Sequence, residues 1–304
     1  MTKSADAFEK SLSAHAAIVE ARLAVLLNGA PRPGEVARPR QLIDAMHYGA
    51  LNGGKRLRPY LVMQASRLFG GSEEAALQVG CALECLHSYS LVHDDLPAMD
   101  DDDLRRGQPT VHKKYDEATA ILAGDGLLTY AFDIITSVET PLPDAAKVAL
   151  ILELSRAAGI GGMAGGQMLD LAAEKDQPDE AGIVMLQAMK TGALLRFACE
   201  AGALIAGRPA EDRERLRRFG EIIGRAFQLA DDLLDITSDA ATLGKATGKD
   251  AAKGKATLVG LKGTDWARSE LDRLVAEANA LLEPYGIEAE PLREAAHFIA
   301  YRKK

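Results

Sequence analysis

The chain has 304 residues, 47% of them apolar and only 5% aromatic, and it carries a net charge of −8. The apolar fraction is enough for a sizeable core, whereas the negative charge argues against nucleic acid as a partner. The longest stretch without a charged residue, 157–169, is too short and too rich in glycine to cross a bilayer, which needs about 20 apolar residues.

The chain begins with "MTKSADAFEKSLSAH", which lacks the apolar core of a secretory signal, so we expect a cytoplasmic protein with no stable membrane insertion. Apolar residues then recur at helical spacing almost everywhere, and no alternating strand pattern is evident. Leu57, Leu61, Ala65 and Leu68, for example, form one helical stripe. Breakers such as "NGG", "FGG", "TPLP" and "DQPDE" divide the chain into about ten helices. The sequence predicts one all-α domain over residues 1–304.

The first basic cluster is the glycine-rich segment "NGGKRLRP", which contains Lys55, Arg56 and Arg58 and leads into a helix. Arginine side chains suit bidentate phosphate contacts, and lysines supply point charge. The segment does not fit a P-loop, because the required Gly and Ser/Thr spacing around the lysine is missing. Taken alone, such a loop is most often solvated surface.

The next helix begins at about Ser72 and leads into the acidic run "HDDLPAMDDDDLRRG". His87 and Asp94 are seven residues apart and lie within about 20° of each other on one helix face. Pro97 interrupts the helix, so the chain can turn and bring Asp100 back towards Asp94. The run therefore fits a metal site better than a solvated acidic turn. The same helix carries Cys81 and Cys85, which with Cys199 we expect to be buried structural thiols.

A second acidic cluster lies inside an apolar helix, in "AFQLADDLLD". Its polar members are Gln228, Asp231, Asp232 and Asp235, and charges in such a stripe are costly unless they are paired or coordinate a metal. Carboxylates without His or Cys favour hard cations, and the calcium-loop pattern fails because Arg105 occupies its fifth position. Mg²⁺ that also binds substrate phosphates is the better match.

Further basic residues accompany these acidic clusters. They are Arg105 and Arg106 after the first cluster, Lys190 in "MKTGALLR", and Lys245, Lys249 and Lys255 in "LGKATGKDAAKGKAT". Metal ligands and phosphate binders in one chain point to a phosphorylated or diphosphorylated ligand.

Six motifs in order carry a resemblance over nearly the whole chain: "GGKRLRP", "LHSYSLVHDDLPAMDDDDLRRG", "GGQMLDL", "KTGALLR", "FQLADDLLD" and "GKATGKD". Together they resemble the trans-prenyltransferases, the short-chain polyprenyl diphosphate synthases, and most of all the bacterial branch that makes farnesyl diphosphate. The ordered combination is specific, whereas a DDxxD motif alone would not be. The resemblance implies an all-helical fold around a deep apolar cavity, a Mg²⁺ cofactor and a homodimer.

The resemblance also implies roles for individual residues. Mg²⁺ would be held by Asp94, Asp95, Asp100, Asp231, Asp232 and Asp235. Isopentenyl diphosphate would be bound by Lys55, Arg58, His87 and Arg106. The allylic diphosphate would be bound by Arg105, Lys190, Thr191, Gln228, Lys245 and Lys255. Of these, catalysis would rest on Asp94, Asp100, Arg105, Lys190, Thr191, Gln228, Asp231 and Lys245. Arg56 receives no role.

Product length is expected to depend on Tyr89 and Ser90. Tyr89 precedes Asp94 by five residues, which places it about 7.5 Å along the helix axis and about 140° around it. Ser90, one turn before Asp94, is small and leaves the near wall open. In the family that the chain resembles, a bulky aromatic at the position of Tyr89, with a two-residue insertion after it, goes with a fifteen-carbon product.

The expected reaction is the Mg²⁺-dependent addition of isopentenyl diphosphate to dimethylallyl and then geranyl diphosphate, giving farnesyl diphosphate. A synthase that stops at geranyl or geranylgeranyl diphosphate is the nearest alternative. A terpene cyclase fits less well, because it should have an Asn/Ser/Glu metal motif where this chain has "DDLLD". A non-catalytic subunit or prenyl-chain binding protein is the alternative from another class, and loss of either aspartate motif would favour it.

Overall fold

The computed structural model describes residues 3–173, 175–237 and 257–302, and the predicted all-α class is confirmed. The α-helices, in chain order, are α1 Lys3–Leu26, α2 Arg40–Ala50, α3 Leu57–Arg67, α4 Glu73–Asp94, α5 Val111–Lys114, α6 Glu117–Thr136, α7 Asp144–Ala158, α8 Met163–Ala173, α9 Glu180–Gln187, α10 Ala193–Ile205, α11 Ala210–Thr237, α12 Leu258–Lys262, α13 Thr264–Leu282 and α14 Glu290–Tyr301. A π-helix, Ala188–Gly192, joins α9 to α10, and a 3₁₀-helix, Glu283–Ala289, joins α13 to α14.

Helix α4 lies at the centre and packs against α3 and α6, and α10 packs against α3 and α11. Helix α4 begins where the sequence predicts, because the side chain of Ser72 accepts a hydrogen bond from the backbone N–H of Ala75. One cluster of buried apolar residues extends from Phe8 to Ala300. The three cysteine thiols are buried and free, which confirms the prediction for them. This shared core supports the proposal of a single domain.

A short β-hairpin was not predicted. Strands β1 Leu104–Arg105 and β2 Gln108–Pro109 pair antiparallel across a turn formed by Arg106 and Gly107. Both turn residues have positive φ, 53° and 77°, as the tight two-residue hairpin turn requires. Each strand has only two residues, too few to show an alternating pattern. The hairpin matters because it fixes the directions of Arg105 and Arg106.

Two stretches of the described chain, Glu117–Thr136 and Asp144–Ala173, are long and apolar enough to cross a membrane by length and composition alone. This is weak support for a membrane span, because the core helix of a soluble protein passes the same test. The first stretch is α6, which packs against α4 and α2. The second comprises α7 and α8 with the glycine-containing break between them.

Candidate active site

The first aspartate motif begins where α4 ends. The backbone N–H of Asp100 donates to the carbonyl oxygen of Asp94 at 2.8 Å, which confirms the predicted turn back towards the helix. Asp101 has φ +51° in this turn. Burial raises the pKa of the Asp94 carboxyl to about 6; the charge of Lys190 opposes this rise, and that of Asp100 adds to it. The motif thus crowds carboxylates at a half-buried position, where a cation would stabilise their ionised forms.

Asp95 is already engaged by a side chain from the hairpin. It is 2% exposed, and both of its carboxylate oxygens accept from Arg105: Oδ1 lies 2.6 Å from Nη2, and Oδ2 lies 2.9 Å from Nε. A buried bidentate pair of this kind satisfies both partners. The arrangement favours Asp94 and Asp100 over Asp95 as the metal-binding pair of this motif. It also shows how Arg105 is oriented before any diphosphate binds.

In the second motif, on α11, one aspartate is likewise buried and bound by neighbouring side chains, whereas the other two are more exposed. Asp232 is buried, and its carboxylate accepts from Gln228 Nε2 at 2.8 Å and from Gln187 Nε2 at 3.0 Å. Asp231 is exposed, and one of its oxygens accepts from Arg302 at 3.2 Å. Asp235 is half-buried, one helical turn after Asp231. Asp231 and Asp235 are therefore the members of this motif best placed to face a ligand.

The π-helix presents two further predicted residues, Lys190 and Thr191. A π-helix is rare and often marks a functional site, because its wider turn redirects backbone and side chains. Thr191 Oγ1 donates to Gln228 Oε1 at 3.1 Å, so the structure brings these two predicted residues together. The close approach of α8 to the π-helix requires a glycine at position 166, because a Cβ on Gly166 would lie 2.2 Å from the backbone nitrogen of Lys190. Lys190 Nζ in turn donates to Asp170 of α8 at 2.6 Å.

The four residues predicted to bind isopentenyl diphosphate line one cavity of about 690 Å³. Lys55 and Arg58 come from the start of α3, His87 from α4 and Arg106 from the hairpin. Arg106 donates to the carbonyl oxygen of Gly53, and its guanidinium lies close to the position that a Cβ would take at Gly54, whose φ is +123°. Burial, together with the charges of Arg58 and Arg106, holds the pKa of His87 well below its usual range. A cavity lined by so many cationic groups suits a diphosphate.

The sequence assigned no role to several of the residues that line this cavity. The cavity also contains Arg56, Glu84, Phe227, Phe298 and Arg302. Arg302 stacks on Phe227 at 4.1 Å and bonds to Asp231, so it links the cavity to the second aspartate motif. Asp170 was missed as well, although the quoted motif "GGQMLDL" contains it. The quoted motifs "GGKRLRP" and "FQLADDLLD" likewise contain Arg56 and Phe227, whereas Glu84, Phe298 and Arg302 lie outside the quoted motifs.

The donor set fits Mg²⁺. The oxygens of Asp94, Asp100, Asp231 and Asp235 are the hard ligands that this ion prefers. Within the described ranges, no three acidic, His or Cys side chains already form a compact metal site. Mg²⁺ typically takes one or two carboxylates and completes its shell with water and substrate phosphate. The raised pKa of Asp94 agrees with this, because the carboxyl lacks a fully compensating cation.

Tyr89 is half-buried on α4, with its ring 5.7 Å from that of His93. Burial and the nearby charge of Asp94 raise the pKa of Tyr89. Ser90 turns back to donate to the carbonyl oxygen of His87 at 2.8 Å. The roles of both residues in chain length stay predictions. Lys245 and Lys255, predicted to bind the allylic diphosphate, lie outside the described residues, as does Lys249.

Residues 39–283 match the polyprenyl synthetase family, and they make up most of the chain. The chain belongs to that family. It is 45% identical over 272 residues to farnesyl diphosphate synthase of Escherichia coli K12, covering 86% of this chain and 90% of the relative. It is 42% identical over 270 residues to geranylgeranyl pyrophosphate synthase 9 of Arabidopsis thaliana, covering 87% and 75%.

Among solved structures, this polyprenyl synthetase superposes on an FPP/GFPP synthase from Zymomonas mobilis with a TM-score of 0.86. The two chains are 42% identical, and the match covers 98% of this chain and all of the other. The similarity therefore extends over the complete helical architecture. The family predicted from the six ordered motifs is confirmed.

Proposed function

We propose that this polyprenyl synthetase is a Mg²⁺-dependent prenyltransferase that adds isopentenyl diphosphate to dimethylallyl and then geranyl diphosphate. The observation that carries the proposal is the position of Arg302. Its side chain lines the cationic cavity and also reaches Oδ1 of Asp231 at 3.2 Å. A diphosphate in that cavity therefore lies next to the aspartates that would hold a second diphosphate. Two adjoining diphosphate sites are what a condensation of two prenyl diphosphates requires.

The chemistry begins with heterolysis of the allylic C–O bond, which leaves an allylic cation and a diphosphate anion. When bound, Mg²⁺ supplies positive charge to that leaving group. Lys190 and Arg105 add fixed cations on the same side. The amide oxygen of Gln228 and the hydroxyl of Thr191, held 3.1 Å apart, offer dipoles to the cation. Water must be excluded, because it would capture the cation.

Carbon–carbon bond formation follows when the isopentenyl double bond attacks the allylic cation. The cavity residues hold the isopentenyl diphosphate in place, so that its double bond points towards the allylic carbon. Loss of a proton from the isopentenyl unit restores a double bond, and the released diphosphate takes up that proton. The product is longer by five carbons and keeps the isopentenyl diphosphate group, so it can serve as the next allylic substrate.

We propose farnesyl diphosphate as the main product. The farnesyl diphosphate synthase of E. coli, 45% identical to this chain, supports this product, and so does the bulky ring of Tyr89 near Asp94. Geranylgeranyl diphosphate is the second candidate, because a relative named for it is 42% identical.

The proposal is tested by incubating the purified protein with Mg²⁺, labelled isopentenyl diphosphate and dimethylallyl diphosphate. The dephosphorylated products are then separated by chromatography, and we expect mainly the fifteen-carbon alcohol. A twenty-carbon product would favour the second candidate. Binding of both substrates without any product would instead favour a non-catalytic prenyl-binding subunit.

We further propose that the protein is a cytoplasmic homodimer. Helices α6 and α7 pack against each other and expose large apolar side chains: Ile121 and Leu122 on the first, Val148 and Leu152 on the second. Exposed apolar groups on adjoining helices are typical of an interaction surface. Light scattering should give twice the chain mass, and the double variant Leu122→Glu/Leu152→Glu should give a monomer. A monomeric wild-type protein would contradict this proposal.

A further inference from the structure

Arg56, immediately before α3, has a backbone conformation that is unfavourable for a residue with a Cβ. Its φ of +51° and ψ of +37° are left-handed values, which Gly adopts freely and arginine rarely does. A non-glycine residue stays in this conformation only when its surroundings hold it there. The backbone N–H of Tyr60 donates to the carbonyl oxygen of Arg56 at 3.1 Å, so this conformation sets the start of α3.

The side chain of Arg56 is held by ion pairs. It is 1% exposed and bonds to acidic residues on two other helices. Nη1 donates to Oε1 of Glu84 on α4 at 2.6 Å, and Nε donates to Oε1 of Glu20 on α1 at 3.2 Å. The Glu84 side chain is 4% exposed, so this is a buried charge pair whose partners depend on each other.

Glu84 lies one turn before His87 on α4, and both residues line the cavity. It is the only acidic residue among the described residues that line this cavity. Its charge reaches the phosphate-binding side chains, because it raises the pKa of both Arg58 and Arg106 against the effect of their burial. An unneutralised carboxylate at this position would repel a diphosphate, as like charges do at short range.

We propose that Arg56 is a positioning residue of the isopentenyl diphosphate site, acting on the ligand through Glu84 rather than by direct contact. It neutralises the one carboxylate among the described residues of the cavity wall, so that the wall does not repel the diphosphate. This inference rests on the proposed function. This role explains why the motif "GGKRLRP" contains Arg56 between Lys55 and Arg58, the two cations that would face the ligand.

The decisive comparison is between Glu84→Gln and the double variant Arg56→Met/Glu84→Gln. Neither variant contains a buried carboxylate without its partner, and in Glu84→Gln the Arg56 cation keeps its bond to Glu20. Circular dichroism and a melting curve check that both variants are folded. If Arg56 acts through Glu84, the two variants have the same KM for isopentenyl diphosphate within about threefold. If Arg56 contacts the diphosphate, the double variant has a KM at least tenfold higher, which would overturn the inference.

The single variant Arg56→Met provides a second readout. It should raise the KM for isopentenyl diphosphate by about 10-fold or more and change that for geranyl diphosphate less than about twofold, since Glu84 lines the cavity assigned to isopentenyl diphosphate. Adding Glu84→Gln should restore the KM. Equal increases in both KM values, or no restoration, would show a general structural role and contradict the inference.

Failure of the proposed function can be told apart from failure of this inference. Calorimetric titration of the same variants with inorganic pyrophosphate, without Mg²⁺, tests the cavity without requiring turnover. Arg58→Ala serves as the reference variant. Unchanged pyrophosphate affinity in Arg58→Ala would refute the assignment of the cavity. Weakened binding in Arg58→Ala would support the assignment of the cavity. If pyrophosphate affinity is nevertheless not restored in Arg56→Met/Glu84→Gln, only the inference about Arg56 is refuted.

Discussion

Lys190 Nζ lies 2.6 Å from Oδ2 of Asp170, so a lysine predicted to bind the allylic diphosphate is held by an acid from the neighbouring helix. The positive charge of Lys190 also opposes the rise in the pKa of Asp94 that burial causes. The ammonium therefore acts on the first aspartate motif as well as on α8. Asp170 thus directs this flexible side chain towards the place where the diphosphate would lie.

Asp170→Asn should therefore impair turnover of the allylic substrate. Removing a charged hydrogen bond costs about 1.5–3 kcal/mol, which corresponds to roughly 10- to 150-fold in kcat/KM for geranyl diphosphate. The KM for isopentenyl diphosphate should change little. Glu180→Gln is a matched control, because it changes the same group in an exposed pair with Lys262. Similar kinetics for Asp170→Asn and the control would show that Lys190 needs no such restraint.

Asp94 should destabilise the metal-free fold at neutral pH. Its pKa is raised from 3.8 to about 6, so the folded state binds a proton more tightly than the unfolded chain does. Stability from this group is therefore present below the unfolded pKa and is lost as pH rises through the folded pKa. The shift corresponds to about 2–3 kcal/mol.

Asp94→Asn should accordingly raise the free energy of unfolding at pH 7.5 in chelator, and the gain should vanish near pH 4. Denaturant unfolding at both pH values measures it. Asp103→Asn is the opposite control, because the bond from Lys113 lowers the pKa of this exposed carboxyl, so its removal should bring no gain. Equal stabilisation at both pH values would show that burial of the charge is not the cause.

Local features of the site could be predicted from the sequence. The break at Pro97 correctly predicted that Asp100 returns to Asp94, because it depends only on helix geometry within a few residues. The cationic cavity could not be derived in this way. Its residues come from the start of α3, from α4 and from the hairpin, and only tertiary packing brings them together. Before the structure, the resemblance alone suggested that grouping.

Glu84 and Arg302 were missed for a related reason. Glu84 is an isolated acid in an apolar helix, and Arg302 begins the basic run 302–304, which resembles ordinary surface charge, so neither has a spacing that indicates a site. Their roles depend on partners distant in sequence: Arg56 for the first, and Asp231 with Phe227 for the second. The division within each aspartate motif likewise depends on the folded structure, because Asp95 and Asp232 differ from their neighbours in burial and in the bonds from Arg105 and Gln187.

The two diphosphate sites should respond separately to mutation. Arg58→Ala should raise the KM for isopentenyl diphosphate by about 10- to 150-fold, since it removes a charged hydrogen-bond donor whose Nε is buried without a hydrogen-bond partner among the described residues. Lys190→Ala should instead raise the KM for geranyl diphosphate. Steady-state kinetics with each substrate varied in turn measures both. Equal effects of each variant on the two substrates would contradict the assignment of the sites.

Mg²⁺ and pyrophosphate together should raise the melting temperature of the wild-type protein more than either does alone. The reason is that the pair would bind only the folded state, in which we propose that aspartates from α4 and α11 hold the same ligand. Asp231→Asn should lose most of this increase while keeping its helical circular dichroism. Asp265→Asn, an exposed aspartate at the start of α13, is the control. An unchanged increase in Asp231→Asn would exclude the second motif from metal binding.

Product length should depend on Tyr89, whose half-buried ring lies on α4 before Asp94. A prenyl tail anchored at Asp94 would extend along this helix towards its N-terminus, and the tyrosine would border it from one side. Tyr89→Ser removes the ring and leaves two serines, at 89 and 90, along the wall, so the main product should shift to twenty carbons or more.

Chromatography of the dephosphorylated products from Tyr89→Ser and wild type, at equal conversion, measures this shift. Tyr115→Ser is the matched control, because Tyr115 is also half-buried but its ring packs against Tyr48. The control should keep the fifteen-carbon product. If active, folded Tyr89→Ser also keeps it, another side chain forms the end of the cavity, because a tail that stops at the same length without the ring cannot have been stopped by it.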